Sequence, residues 1–235
     1  MQDGLGGGEL LIELGAVGVE ELLRVLRNRR FLVFSLGFPL VLFVVIAGPN
    51  RNEHDLGGSG IAAPLYYMIG LTAFGTMNGV MASGARISWE RTMGWTRQLR
   101  LTPLPTRTYF RTKLLVAYLT ALLTFVVLDV AGIALGVSLP ASGWAKMTGL
   151  MLVGLLPFAA IGIVIGHLLT PDSIGPALGG TTALLGLLGG VWFPVTGTLA
   201  TIAKVLPSYW LVQASHVGLG GGGWGALGWS VVAIW

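Results

Sequence analysis

Three lysines decide whether this chain can hold a nucleotide. A phosphate-binding loop places Gly-Lys-Ser/Thr after a glycine-rich turn, so that backbone N–H groups and the lysine cradle the phosphates. Here Lys113, Lys146 and Lys204 follow Thr112, Ala145 and Ala203. The required glycine is missing each time, so any use of ATP falls to a partner. Metal chemistry has little to work with either. The chain has no cysteine, and its histidines, His54, His167 and His216, are not spaced as ligand pairs. Ser35, Ser83 and Ser173 have no nearby histidine with an orienting acid, which leaves no hydrolytic nucleophile in a known pattern. Asp129 is the one acid well inside an apolar stretch. Carboxylates at membrane depth are costly and often functional. At 1.5 Å per residue it lies about 24 Å from the basic end of its stretch, near the far face of a ~30 Å hydrocarbon core. There it reads as a carboxylate reaching headgroup water or hydrogen-bonded in a polar pocket. An ion-coupling carboxylate is the sharper alternative. His167 reads as an interfacial histidine.

The elements that must position these groups are apolar. Of 235 residues, 54% are hydrophobic and only 10% are charged. Soluble domains carry about 25% charged residues, so too few polar side chains exist to cover a soluble globule. This is the composition of an integral membrane protein. The sequence pI is near 9.8, but the net charge of +4 comes from loops beside apolar stretches. Anionic lipid headgroups account for it, and no nucleic-acid partner is implied. Thirty mostly polar residues precede the first apolar run, and no clean cleavage pattern follows, so no signal peptide is expected.

Along the chain, residues 17–30 carry Val19, Leu22, Leu23 and Leu26 on one helical face, with Glu20 and Arg24 on the other. We expect an amphipathic helix lying at the membrane interface. Apolar spans are expected at 31–48, 61–85, 114–137, 147–169 and 174–191, with a kink at Pro157. Residues 49–60 and 138–146 read as short outer loops, and 170–172 as a tight inner turn. Residues 193–223 are only moderately apolar, and 199–206 could form a short helix stopped at Pro207. Residues 224–235 begin a sixth apolar segment, but a span needs about 20 residues, so the sixth span is expected to be incomplete here. The fold expected is all-α, a six-span bundle forming one transmembrane domain over 1–235. Glycine pairs at i,i+4, namely Gly75/Gly79, Gly132/Gly136, Gly162/Gly166, Gly175/Gly179 and Gly186/Gly190, suggest close helix packing.

Eleven of the fourteen Lys and Arg residues fall in two places. Arg24, Arg27, Arg29 and Arg30 precede the first span. Arg86, Arg91, Arg97, Arg100, Arg107, Arg111 and Lys113 fill 86–113, between spans two and three. Short basic loops stay cytoplasmic, which sets the N-terminus and this loop inside. Residues 86–101 can extend span two as a helix. Pro103 and Pro105 then break it, and Thr106 can cap a helix that enters span three. A helix, a stiff corner and a helix suit docking into another protein better than simple lipid anchoring.

Two segments carry a family resemblance. One is Glu90-Arg91 with Gly94, Leu99, Pro103 and Lys113. The other is Gly189-Gly190-Val191-Trp192-Phe193-Pro194, followed by Leu206-Pro207 and Tyr209-Trp210. In this order they resemble the membrane subunit, or permease, of the ABC-2 type transporters. A second Leu-Pro often follows the Phe-Pro in that family, whereas Thr198-Leu199 stands here. The resemblance implies two permeases side by side, identical or related, above two separate ABC ATPase subunits. Those subunits would bind ATP and Mg, and this chain would hold no cofactor. It implies that Glu90, Arg91, Gly94, Arg97, Leu99, Arg100 and Pro103 belong to a coupling segment that meets the ATPase. It implies outer re-entrant helices, with Gly190, Trp192, Phe193, Pro194, Pro207 and Trp210 in the segment that closes the pathway. The expected function is outward transport of a hydrophobic, lipid-like or drug-like substrate across a bacterial cell membrane. Two alternatives stay open: an ion-gradient-driven carrier using Asp129, and a non-transporting scaffold or immunity protein.

Overall fold

A computed structural model describes residues 27, 33–56, 60–94, 106–195, 197–218 and 231–233. Most of these residues are helical, and no strand occurs among them. A π-helical turn, Val33–Gly37, leads into α1 (Phe38–Ala47), with Pro39 near its start. Then follow α2 (Ala63–Ala85), α3 (Ile87–Thr92), α4 (Thr106–Ala134), α5 (Ala141–Gly154), α6 (Leu156–Leu168), α7 (Pro171–Leu188), α8 (Gly197–Ala203) and α9 (Pro207–Gly218). Tyr109–Ala134 and Ala141–Leu168, the latter comprising α5 and α6, are long and apolar enough to cross a membrane. Of the expected N-terminal interfacial helix, only Arg27 is described, and it is helical and exposed.

Several boundaries differ from those expected, each for a local reason. Residues 141–146 are the first turns of α5 rather than loop, because Pro140 is extended and Ala141 onward can then wind. The helix over 141–168 breaks at Leu155, two residues before Pro157, whose missing N–H removes one rung of the ladder. Pro207 starts α9 rather than merely stopping a helix, since proline suits a first helical turn. The helical extension beyond α2 is also short. It bends at Arg86, restarts as α3 and ends at Gly94, whose φ of +74° suits glycine.

The core is built around α2, which is buried along most of its length. Helices α4 and α6 pack against it over long contacts, and α1, α7 and α9 add to its sides. Its buried threonines stay satisfied without partners from other helices. Thr72 and Thr76 donate to carbonyls one turn back, both at 2.7 Å, as Thr120 and Thr124 do in α4. Where α2 crosses α6 the backbones nearly touch. A methyl group built on Gly162 would lie 2.4 Å from the Met81 carbonyl oxygen, and one on Gly84 2.6 Å from the Gly162 carbonyl carbon. Gly166 meets the Gly84 carbonyl oxygen in the same way, at 2.6 Å. Only small residues allow this approach, which replaces hydrophobic driving force as the source of helix affinity in lipid. On the other side of α2, Gly132 of α4 makes room for the Met68 side chain. By contrast Gly175 and Gly179 are exposed with nothing near them among the described residues, so that pair makes no close contact there.

Candidate functional site

At the basic end of the bundle, α3 sits where four helix ends meet: the end of α2, the start of α4, the end of α6 and the start of α7. Its residues turn inward. Glu90 accepts hydrogen bonds from the Tyr109 hydroxyl and the Lys113 ammonium, both on α4. The pair is well shielded, with side-chain exposures of 10% for Lys113 and 21% for Glu90. Lys113 also lies over the Tyr109 ring, 5.5 Å from its centroid. Tyr109 and Lys113 are one helical turn apart, so one carboxylate reaches both. Glu90 is the only acid between Arg86 and Lys113. Removing it would leave a nearly buried ammonium uncompensated.

Arg91 donates from its guanidinium to the His167 carbonyl oxygen, and Ser88 donates to the Leu169 carbonyl oxygen at 2.7 Å. Both acceptors lie at the C-terminal end of α6. Carbonyls there have no partner within the helix, and the helix dipole makes the end negative. A cation and a hydroxyl from α3 therefore complete α6. His167 is held at 2.9 Å from the Ile163 carbonyl oxygen and stacks on the Phe110 ring, 6.5 Å between centroids. Ser88 is buried and Glu90 half-buried, whereas Arg91, Trp89 (49%) and, just past α3, Met93 (72%) are exposed. Arg97, Leu99, Arg100 and Pro103 lie outside the described residues.

The opposite end holds the second group of expected residues. The chain leaves α7 through Gly190, at φ +78°. The Tyr66 hydroxyl of α2 donates to the Gly190 carbonyl oxygen, and the Val191 carbonyl presses on Gly70, where a methyl group would lie 2.2 Å away. Trp192 packs on Phe74 with ring centroids 5.2 Å apart. Phe193 is exposed, Pro194 half-buried and Pro207 buried. Trp210 is buried in α9 and donates to the Lys204 carbonyl oxygen at 2.7 Å, joining α9 to the end of α8. Helix α9 packs along α5. Gly190, Trp192, Trp210 and α2 thus form one packed region, distant from α3 along α2. Asp129 joins neither group. Its Oδ1 is buried without a hydrogen-bond partner, so the pocket that would satisfy it is absent from the described residues.

Two comparisons bear on what such a bundle is. The family model described as ABC-2 type transporter matches residues 13–219. That is most of the chain, and it includes both the α3 cluster and the Gly190–Trp210 segment. The chain belongs to the ABC-2 type transporter family. A relative from Bacillus subtilis (strain 168), named "Putative transport permease YvfS", is 31% identical over 198 residues, covering 81% of this chain and 79% of the relative. This ABC-2 protein is therefore a transporter permease, and with two long apolar helices among the described residues it is a membrane protein.

Sequence reasoning named Glu90 and Lys113 but did not pair them, and it missed Tyr109, Ser88, Tyr66 and Phe74. Tyr109 had a signal, standing one helical turn before Lys113. Ser88 had none, because its partner is a backbone carbonyl 81 residues away.

Proposed function

We propose that this chain is the membrane-spanning subunit of an ATP-driven exporter. Two ABC ATPase subunits bind ATP and Mg on the cytoplasmic side, and a second permease, identical or related, completes the pathway. The bundle has six spans in a bacterial cell membrane, with the N-terminus and its interfacial helix inside. The cargo is hydrophobic, lipid-like or drug-like. From Leu114 to Leu168 the charged side chains are Asp129 and Lys146 alone, which suits an apolar cargo.

One observation carries the proposal: α3 is fastened to both α4 and α6 at the basic end by Glu90, Arg91 and Ser88. A chain with no phosphate loop needs a rigid handle through which a partner can move it. Here Glu90 and Arg91 set the position of that handle, Gly94 ends it, and Trp89 and Met93 are its outward side chains. Helices α8 and α9 are the outer re-entrant pair, closing the pathway from Pro194 to Trp210. ATP binding draws the ATPases together and shifts α3. The permease responds only as far as α3 meets the two ATPase states differently.

Native pull-down from membranes tests this. The chain should bring down an ABC ATPase and a second permease copy, and export should stop when that ATPase is inactivated. Recovery without any ATPase, with cargo still moving, would overturn the proposal.

A further inference from the structure

The cytoplasmic handle is expected to drive the spans it joins in sequence, two and three. The structure places a third grip on it. Ser88 and Arg91 are one helical turn apart on α3 and close on two carbonyls at the end of α6. Ser88 is 2% exposed. The Ser88 bond is part-buried, and the Arg91 bond, at an exposed helix end, is a charge-assisted one to a carbonyl at the helix terminus. The backbone contact of Gly84 with Gly162 and Gly166 lies next to this grip and locks α2 to α6.

We infer that Ser88 and Arg91 are positioning residues that make α3 and α6 one rigid body, so that the ATPase stroke also enters span four. This rests on the export function proposed above. Span four has a built-in joint. Helix α6 ends its rigid run at Leu155, beside Pro157, and α5 continues beyond it and lies along α9. A tilt of α3 therefore passes through α6 to the joint, and from α5 to the outer helix that carries Trp210. The Glu90 pair holds α4, and the Ser88–Arg91 pair holds α6. One short helix grips two neighbouring spans with separate side chains.

The chain has no native cysteine, so spin labels can be placed without background. Thr92 and Leu168 are exposed, and accept labels as Thr92→Cys and Leu168→Cys. In the full chain in membranes this pair should give one narrow distance distribution, which the double variant Ser88→Ala/Arg91→Ala broadens. An equally narrow distribution in the double variant overturns the grip, whether or not an ATPase partner exists. In the complex with its ATPase, the 92–168 distance should be the same with and without trapped nucleotide. A shift between those states overturns the rigid body. Arg91→Ala should lower transport per ATP hydrolysed by about tenfold, the factor for a hydrogen bond from a charged donor, while ATP is still hydrolysed. Arg91→Lys should restore much of it, because an ammonium can still donate to the carbonyl. Unchanged transport per ATP in Arg91→Ala overturns the mechanical role. If no ATPase is found, the proposed export function fails, and the label widths still decide the grip.

Discussion

Glu90 sits among basic residues, and its chemistry follows from that. With one carboxylate serving both Tyr109 and Lys113, Glu90→Ala removes two hydrogen bonds and strands an ammonium that is 10% exposed. We expect a stability loss of about 1.5–3 kcal/mol, the range for hydrogen bonds to charged groups, seen as a lower melting temperature in detergent. Membrane insertion should be intact, and transport should be uncoupled from ATP hydrolysis. Unchanged export at matched expression would contradict this role. Asp129 calls for a different expectation. Its Oδ1 has no partner among the described residues, and burying a carboxylate without one is costly. Asp129→Asn should therefore leave ATP-driven transport within about twofold of the parent, since no step is assigned to its charge and replacements away from key contacts cost little. A transport assay with an imposed proton gradient checks this, and loss of proton dependence in the variant would favour a gradient-driven carrier. At this scale the sequence was partly legible. The Glu90-Arg91 pair and Gly94 stood out as a motif, and Gly94 has the positive φ that only glycine takes easily. The partners were hidden, because a carboxylate–ammonium pair 23 residues apart needs the fold to bring it together.

Large apolar side chains fill the core of this bundle, but α2 and α6 meet by close backbone approach. Two glycines in i,i+4 pairs make opposite predictions. At Gly162 a methyl group would lie 2.4 Å from a backbone oxygen of α2, whereas at Gly179 nothing lies within 4 Å. Gly162→Ala must push α6 off α2 and should cost about 1–3 kcal/mol, as overpacking does. Gly179→Ala should be neutral or stabilising by up to about 1 kcal/mol through helix propensity. Thermal unfolding of the two variants in one detergent compares them directly, and equal effects would contradict the crossing geometry. Both pairs look identical as sequence, because spacing marks a face and says nothing of what lies opposite. Element positions were easier to read. Pro157 marked the break at Leu155 within two residues, whereas the span expected at 147–169 begins six residues earlier, at Ala141. The short α3 was harder: its 86–92 stretch has the composition of a simple extension of α2, and the bend at Arg86 comes from side-chain bonds to α4 and α6 that no local pattern encodes.

Over the whole molecule, polar interactions concentrate at the two ends of a bundle whose core is built mainly of buried Phe, Leu, Met and Ala side chains. The cluster at the basic end fixes α3. The cluster at the opposite end ties Gly190 and Trp192 to α2 through Tyr66 and Phe74. Helix α2 spans both, and α6 with α5 offers a second route between them. Such an arrangement transmits a push from one end to the other, provided something at the cytoplasmic end supplies it. The family assignment and the missing phosphate loop both direct attention to a separate ATPase. The most direct test is reconstitution of the chain in vesicles, with and without its co-purified ATPase, while following ATP-dependent movement of an apolar fluorescent cargo. Cargo should move only when the ATPase and hydrolysable ATP are both present. Movement by the chain alone, or none with an active ATPase bound, would contradict the account.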